Sequence, residues 1–374
     1  MKLATVILPL ALAAVAATQA QESRSPQIFG AVKTRFEVDA QAGKQRFSVR
    51  NSRLGVRGFA TDNMYYALQM ELNSEGKFSV LDSYVDWRIG AFSVSVGQQQ
   101  YHFSTELDRG AADNMFSNRS ILGKFLTTYS GAAVTGGAVQ EYVKDIGSRD
   151  MGILGTLRLL REARMPVKWQ AGLFNGCGVN DFRWSKHVNV VTRLQLGKDK
   201  QGLNIAGGYY HGATTVDSRP EETEEGAGTY RAIAHKQRID MWDAEVSYHA
   251  DKFTVESEIA RKYLSDSDHA MTAAYIHGCY RFPLKPNKLV HHIAPLFRWD
   301  MGSNVPYVNA LSGKLDTFDT NRVTAGLMFG LSEKRFRSEL RFNYEHYFFG
   351  QKPTDYDVNT LLHNRITMEF LVTF

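Results

Sequence analysis

The residues of this chain best suited to chemistry are its arginines and lysines, many of which recur on one parity of an alternating pattern. A guanidinium offers a planar fork of donors that stays charged and grips phosphate or carboxylate at two points. Residues 31–60 hold seven Lys/Arg against two acids, Glu37 and Asp39, and residues 151–200 hold nine against three, Glu162, Asp181 and Asp199. Other chemistries lack their residues. No Gly-x-Ser-x-Gly or His-Glu-x-x-His occurs, so no catalytic set is expected and the chain does not read as an enzyme. His291 and His292 are adjacent, which on a strand points them to opposite faces, so they are not expected to share a metal. Cys177 and Cys279 fall on strands that are not neighbours and read as two separate thiols. Gly207-Gly208 and Gly176-Cys177-Gly178 have no helix after them and are not phosphate loops. No cofactor or metal is expected.

Composition narrows the class. The 374 residues include 17 Tyr, 22 Phe, 5 Trp and 31 Gly but 9 Pro and 2 Cys. That excludes a collagen, a disordered tail and a disulfide scaffold, and it favours many strands joined by tight turns. The formal charge is +5, without a dense basic run, which argues against nucleic acid as a partner.

These side chains need elements to position them, and the pattern supplies strands. From Arg365 to Phe374 the even positions are Ile, Met, Phe, Val and Phe, and the odd positions are Arg, Thr, Glu, Leu and Thr. Ser338, Leu340, Phe342, Tyr344, His346 and Phe348 likewise oppose Arg337, Glu339, Arg341, Asn343 and Glu345. The polar face carries charges of both signs and the apolar face ends in aromatics, as on a strand between lipid and a wet lumen. The first 20 residues carry Lys2, an apolar run from Leu3 to Ala17 and small residues before a cut after Ala20. They read as a secretory signal peptide, leaving 21–374 as one exported domain. No later stretch reaches the ~18 apolar residues of a spanning helix. An exported chain that enters a membrane must then do so as a closed barrel.

The alternation predicts sixteen antiparallel strands: 28–39, 45–60, 64–73, 78–90, 92–103, 151–161, 166–178, 187–197, 202–213, 237–249, 252–264, 270–282, 290–302, 319–331, 336–349 and 361–374. The fold class is all-β, a transmembrane antiparallel barrel. Short connections such as Thr61-Asp62-Asn63, Asp199-Lys200-Gln201 and Glu333-Lys334-Arg335 alternate with long ones at 104–150, 214–236 and 303–318. The acidic run Glu221–Glu225 reads as a solvated part of one long loop.

At this point the chain resembles a family, the phosphate-selective porins O and P. Arg50-Asn51-Ser52-Arg53-Leu54-Gly55-Val56-Arg57-Gly58 resembles its early Arg-x-x-Arg-Leu-Gly strand. Ser83-Tyr84-Val85-Asp86 followed by Val96-Gly97-Gln98 resembles its next hairpin. Arg149-Asp150-Met151-Gly152, and Ala171-Gly172-Leu173-Phe174-Asn175-Gly176 with Asn180, resemble later pieces, and the chain closes on Phe374. One departure stands out: the family's Lys and Pro-Phe after Val-Gly-Gln are here Gln100 and His102-Phe103. The resemblance implies a Gram-negative outer-membrane porin, a homotrimer in outer-membrane lipid, whose third outer loop, 104–150, folds inward and narrows the pore. It implies passive diffusion of small anionic or polar solutes, with a phosphate-like preference.

A sixteen-stranded barrel encloses a water-filled channel whose selectivity follows wall charge and width. The alternation places Lys33, Arg35, Arg53, Arg57, Arg158, Lys168 and Arg193 on the lumen face, and the inward loop adds Arg109, Arg119 and Lys124 as anion-contacting candidates. Glu37, Glu71, Asp82, Asp86, Asp243, Glu245, Glu256 and Glu258 are also expected inward. Two arrangements are therefore open, an anion-attracting ladder and a wall of opposed charges. The loop itself carries five basic residues against six acids. An outer-membrane barrel enzyme of lipase or protease type and a loop-plugged structural barrel are the alternatives.

Overall fold

The computed structural model describes residues 25–374 apart from 136–137, 183, 223–229, 266–267, 286–288, 333–336 and 360–361. The signal peptide expected at 1–20, the turn at 333–335 and residues 223–225 of the acidic run lie outside the described residues. Among those described, no helix is long and apolar enough to cross a membrane.

The strands alternate strictly in direction. They are β1 Gln27–Asp39, β2 Gln45–Val49 continued by Ser52–Thr61, β3 Met64–Ser74, β4 Lys77–Ile89, β5 Phe92–Gln100, β6 Arg149–Leu159, β7 Val167–Phe174 and β8 Asn189–Lys198. Then follow β9 Gln201–Glu222, β10 Tyr230–His249, β11 Phe253–Leu264, β12 His269–Tyr280 continued by Phe282–Pro283, β13 His292–Val308, β14 Leu315–Ser332, β15 Arg337–Phe349 and β16 Arg365–Thr373. Each pairs antiparallel with its neighbours, and β16 pairs with β1 from Ala31↔Thr373 to Asp39↔Arg365, so the sheet closes on itself. Closure satisfies every strand edge, which an open sheet in lipid could not do.

The period-two pattern decides the faces. On β1, Lys33, Arg35, Glu37 and Asp39 point inward and are buried, while Ile28 and Val32 point outward. Outward aromatics gather beside the short turns, as with Trp87 and Phe92, Tyr248 and Phe253, and Tyr280 and Phe282. Such rings sit at a membrane's polar boundary.

Sixteen strands agree with the alternation, but some lengths do not. The connection expected at 214–236 is mostly strand, because β9 and β10 stay paired as far as Glu222↔Tyr230. The connection expected at 303–318 is likewise mostly strand, paired to Val308↔Leu315. These hairpins keep their backbone hydrogen bonds beyond the apolar belt, where nothing requires the side chains to alternate. Conversely β5 stops at Gln100 and β7 at Phe174, short of the expected 103 and 178.

Between β5 and β6 the chain turns into the barrel. It forms α1 (Thr105–Asp108), α2 (Ile121–Thr127) and a hairpin of Thr128–Thr135 with Ala138–Asp145. Ser104 and Ser120 cap the two helices, accepting from the amides of Leu107 and Gly123. Tyr101, Phe103, Leu107, Leu122, Phe125 and Tyr129 pack against wall residues Tyr210, Ile239, Met241 and Tyr275 in one buried cluster. A lumen that would otherwise hold water is thus partly filled by the chain's own apolar side chains.

Candidate functional site: the lumen beside the inward loop

The inward loop crosses to the far wall and follows it. Near its start, Thr105 donates its amide to Glu245 at 3.2 Å, and its hydroxyl donates to the same carboxylate. The Ser104 hydroxyl donates to Glu258, and the Glu106 amide donates to Glu258 at 3.1 Å. Arg109 then pairs with Glu256. The carbonyls of Ala111 and Ala112 accept from Lys33 at 3.1 Å and Arg337 at 2.6 Å. Phe116 is fully buried, with the Arg298 guanidinium 4.5 Å from its ring centre. The Ser117 amide donates to Asn343 at 2.7 Å. At the end of α2, Lys262 donates to the carbonyls of Phe125, Leu126 and Thr128 and lies 3.4 Å from the Tyr129 ring centre. An amine donor there meets carbonyls that the end of the helix leaves unpaired.

Within the loop, burial alone would raise the Glu106 carboxyl, but Arg109, Arg119 and Arg298 outweigh it and hold it below the ordinary range. Asp108 follows the same logic, with burial opposed by His102 at 2.9 Å and by Arg193.

The other half of the lumen is open. A cavity of about 640 Å³ lies between the loop segment Asp108–Asp113 and the wall of β1 to β7, and a second of about 540 Å³ lies beside it towards β8 to β15. Seven Lys/Arg line the first (Arg53, Arg57, Arg88, Arg149, Arg158, Lys168 and Arg337) against four acids (Asp82, Asp86, Asp108 and Asp113), a net of +3.

The ten basic residues singled out from the sequence divide between these halves. Arg53, Arg57, Arg158 and Lys168 face the first cavity. Arg53 lies 3.4 Å from Glu71, Lys168 lies 3.5 Å from Asp199, and Arg158 reaches the Ser93 hydroxyl at 3.5 Å. Arg57 sits over the Phe29 ring at 5.0 Å. Arg109 and Arg193 border the second cavity, and both are held by acids, Arg193 by two bonds to Glu245 at 3.0 and 2.7 Å. Lys33 and Arg35 are buried against Glu369 at 3.3 and 2.6 Å. Arg119 donates to the Glu106 and Arg109 carbonyls, inside the loop. Lys124 is exposed on α2 and lines neither cavity. The ten therefore do not form one ladder. Parity identifies the lumen face, but it does not say where a loop will cover that face.

Three cavity cations fall outside those ten. Arg149 holds Asp82 through two bonds at 2.8 and 3.2 Å, Arg88 holds Asp86 at 2.8 Å, and Arg337 meets Glu339 at 2.9 Å. Arg337 stands on the polar parity of its strand, and Arg88 and Arg149 lie beside or within the resembling motifs; those were the available signals. The motifs meet at the root of the loop. Gly97 has a φ of +133° and lies against the Ser83 carbonyl, where no side chain fits. The Asp150 carboxylate accepts from the amides of Gly176 at 2.5 Å and Met151 at 2.8 Å. Asn180 exchanges hydrogen bonds with Gln98 at 2.9 and 3.2 Å. The motif residues fasten the strand ends from which the loop departs.

The family model "Phosphate-selective porin O and P" matches residues 30–142. No curated protein sequence matches the chain. Among solved structures, the barrel is similar to the anion-selective porin from Comamonas acidovorans, at 11% identity, covering 93% of this chain and 98% of that one with a TM-score of 0.56. It is similar to Salmonella typhi OmpF in complex with daunomycin, at 12% identity, 93% and 97% coverage and a TM-score of 0.58. It is also similar to the trimer form of OmpT, an outer membrane protein of Vibrio cholerae, at 13% identity, 94% and 99% coverage and a TM-score of 0.56. The chain has the fold of an outer-membrane porin, and its residues 30–142 match the phosphate-selective porin O and P family.

Proposed function

We propose that the protein is a passive diffusion channel of a Gram-negative outer membrane, exported with cleavage of residues 1–20, trimeric, and selective for small anions. The observation that carries this reading is the open cavity, where seven cations face four acids. Arg57 and Arg158 contribute most, because among the described residues their side chains meet a ring and a hydroxyl and no carboxylate. A guanidinium so placed keeps donors for a passing phosphate or carboxylate. Segment 104–150 is the constriction, narrowing the path to the side lined by β1 to β7. The family match over 30–142 and the porin neighbours support a channel over a barrel enzyme.

Reversal potentials of the purified protein in planar bilayers under a salt gradient test this. Anion preference is expected, and it should fall when Arg57 and Arg158 are both changed to Gln. Cation preference in the unmodified protein would overturn the anion reading, and absence of conductance would overturn the channel.

A further inference from the structure

We propose that Asp243, Glu245 and Glu258 form a binding site for a hard divalent cation of calcium type, which staples the root of the inward loop to the barrel wall. The three side chains project from the lumen face of β10 and β11, and Glu245 and Glu258 are direct cross-strand partners. All three are buried, and a carboxylate oxygen of each lies within 4.8 Å of the others.

Two of the three are occupied by the loop and the wall. Glu245 accepts from Thr105 and Arg193, and Glu258 accepts from Ser104, from the Glu106 amide and from the Tyr275 hydroxyl at 3.1 Å. Asp243 is different. It is 5% exposed, and neither of its carboxylate oxygens receives a hydrogen bond. Leaving a carboxylate so buried and unmet is costly. Among the described residues, Arg193 is the one guanidinium bonded to the trio, and it is committed to Glu245. A divalent ion would cancel the remaining excess and bridge Asp243 to Glu245, the like-charged side chain it otherwise faces.

The donor set favours calcium. The candidate ligands are all oxygens: three carboxylates, the hydroxyls of Ser104 and Thr105, and the Phe103 carbonyl. Phe103 comes this close because position 208 is glycine; a Cβ there would lie 2.5 Å from its carbonyl oxygen and collide with Asp243 Oδ1 as well. Calcium takes six to eight oxygens in flexible geometry, whereas magnesium retains several waters. A set built from oxygens, without thiolate or imidazole, disfavours zinc and copper.

The test uses the full chain folded in detergent, stripped with chelator and freed of lipopolysaccharide. Terbium is the probe, sensitised through Tyr275, with calcium as competitor. One saturable site per chain is expected, displaced by calcium, with a higher thermal midpoint when calcium is restored. Asp243→Asn should weaken it by about tenfold or more, since calcium affinity follows ligand charge; Glu258→Gln is the second variant. Heat-modifiable migration on gels reports folding of each. Absence of saturable emission from the unmodified protein would overturn the proposal, as would undiminished binding in either folded variant, because the ion would then sit on surface acids and protons would neutralise the trio. Ion selectivity is not read out, so the result is independent of the anion preference.

Discussion

Glu369 and Arg57 both point into the lumen, from strands near the same seam, and their surroundings could hardly differ more. Glu369 is fully buried beneath the loop and takes Lys33, Arg35 and Arg341 at 3.3, 2.6 and 3.1 Å. Arg57 is exposed to the open cavity and rests on one aromatic ring. One half of the barrel uses charge to hold a loop across a lumen, and the other leaves charge available to solutes. The difference arises from coverage, since both halves share the same alternation. Charges in the covered half are removed from water and must be matched one against another, whereas in the open half Arg57 and Arg158 stay solvated without a carboxylate beside pairs such as Arg149 with Asp82.

This contrast can be broken most severely at Glu369. Glu369→Gln leaves the buried Lys33 and Arg35 without a carboxylate, while Arg341 keeps Glu339, and should cost ~3–5 kcal/mol, the scale of losing one member of a buried ion cluster. Urea unfolding in detergent micelles measures it, and a loss below about 1 kcal/mol would show that water reaches the covered half. Next in size, Lys262→Met removes the donor to the carbonyls of Phe125, Leu126 and Thr128 at the end of α2 and should cost about 1–3 kcal/mol. Noisier open-channel current is expected with it, as α2 loosens. By contrast, Arg57→Gln and Arg158→Gln should each change stability by no more than about 0.5 kcal/mol while moving the reversal potential towards cations. A large stability loss there would place them with the clamps.

The smallest effect is expected with pH. The Asp108 and Glu106 carboxyls sit below their ordinary values in the folded protein. A depressed carboxyl contributes its full stabilisation above the unfolded value of ~4 and loses it as pH falls through the folded value. Loop anchoring should therefore weaken only below about pH 4, seen as rising current noise. A transition between pH 5 and 8 would need other groups.

Much of the barrel was legible because lipid outside and water inside impose an alternation that a short window reveals. It failed where one of those solvents is missing. Beyond the apolar belt, residues 214–222 keep their pairing without the pattern, so strand looked like loop. In the lumen, Lys33 and Arg53 have the same parity and chemistry, yet one lies under Ala111 and the other beside a cavity. That distinction depends on the path of residues 104–127, which follows contacts such as Phe116 with Arg298 and Ser117 with Asn343, each about 180 or more positions apart in the chain. The paired acids of β10 and β11 were expected inward, but their grouping around one point required the strand register.

The seam between β1 and β16 has a kinetic consequence. Phe36 pairs with Met368, so these strands meet only after more than three hundred intervening residues have been arranged. Contacts of such separation form late, because loop-closure entropy must be met before they contribute. Glu369 stands on one side of that seam and Lys33 and Arg35 on the other, with their ion pairs made only when the two strands come together. Closure of the cylinder thus adds the second and third cations to a fully buried carboxylate that Arg341, on the neighbouring strand, already meets. A chain that stalls before it would carry an open strand edge and unmet charge together.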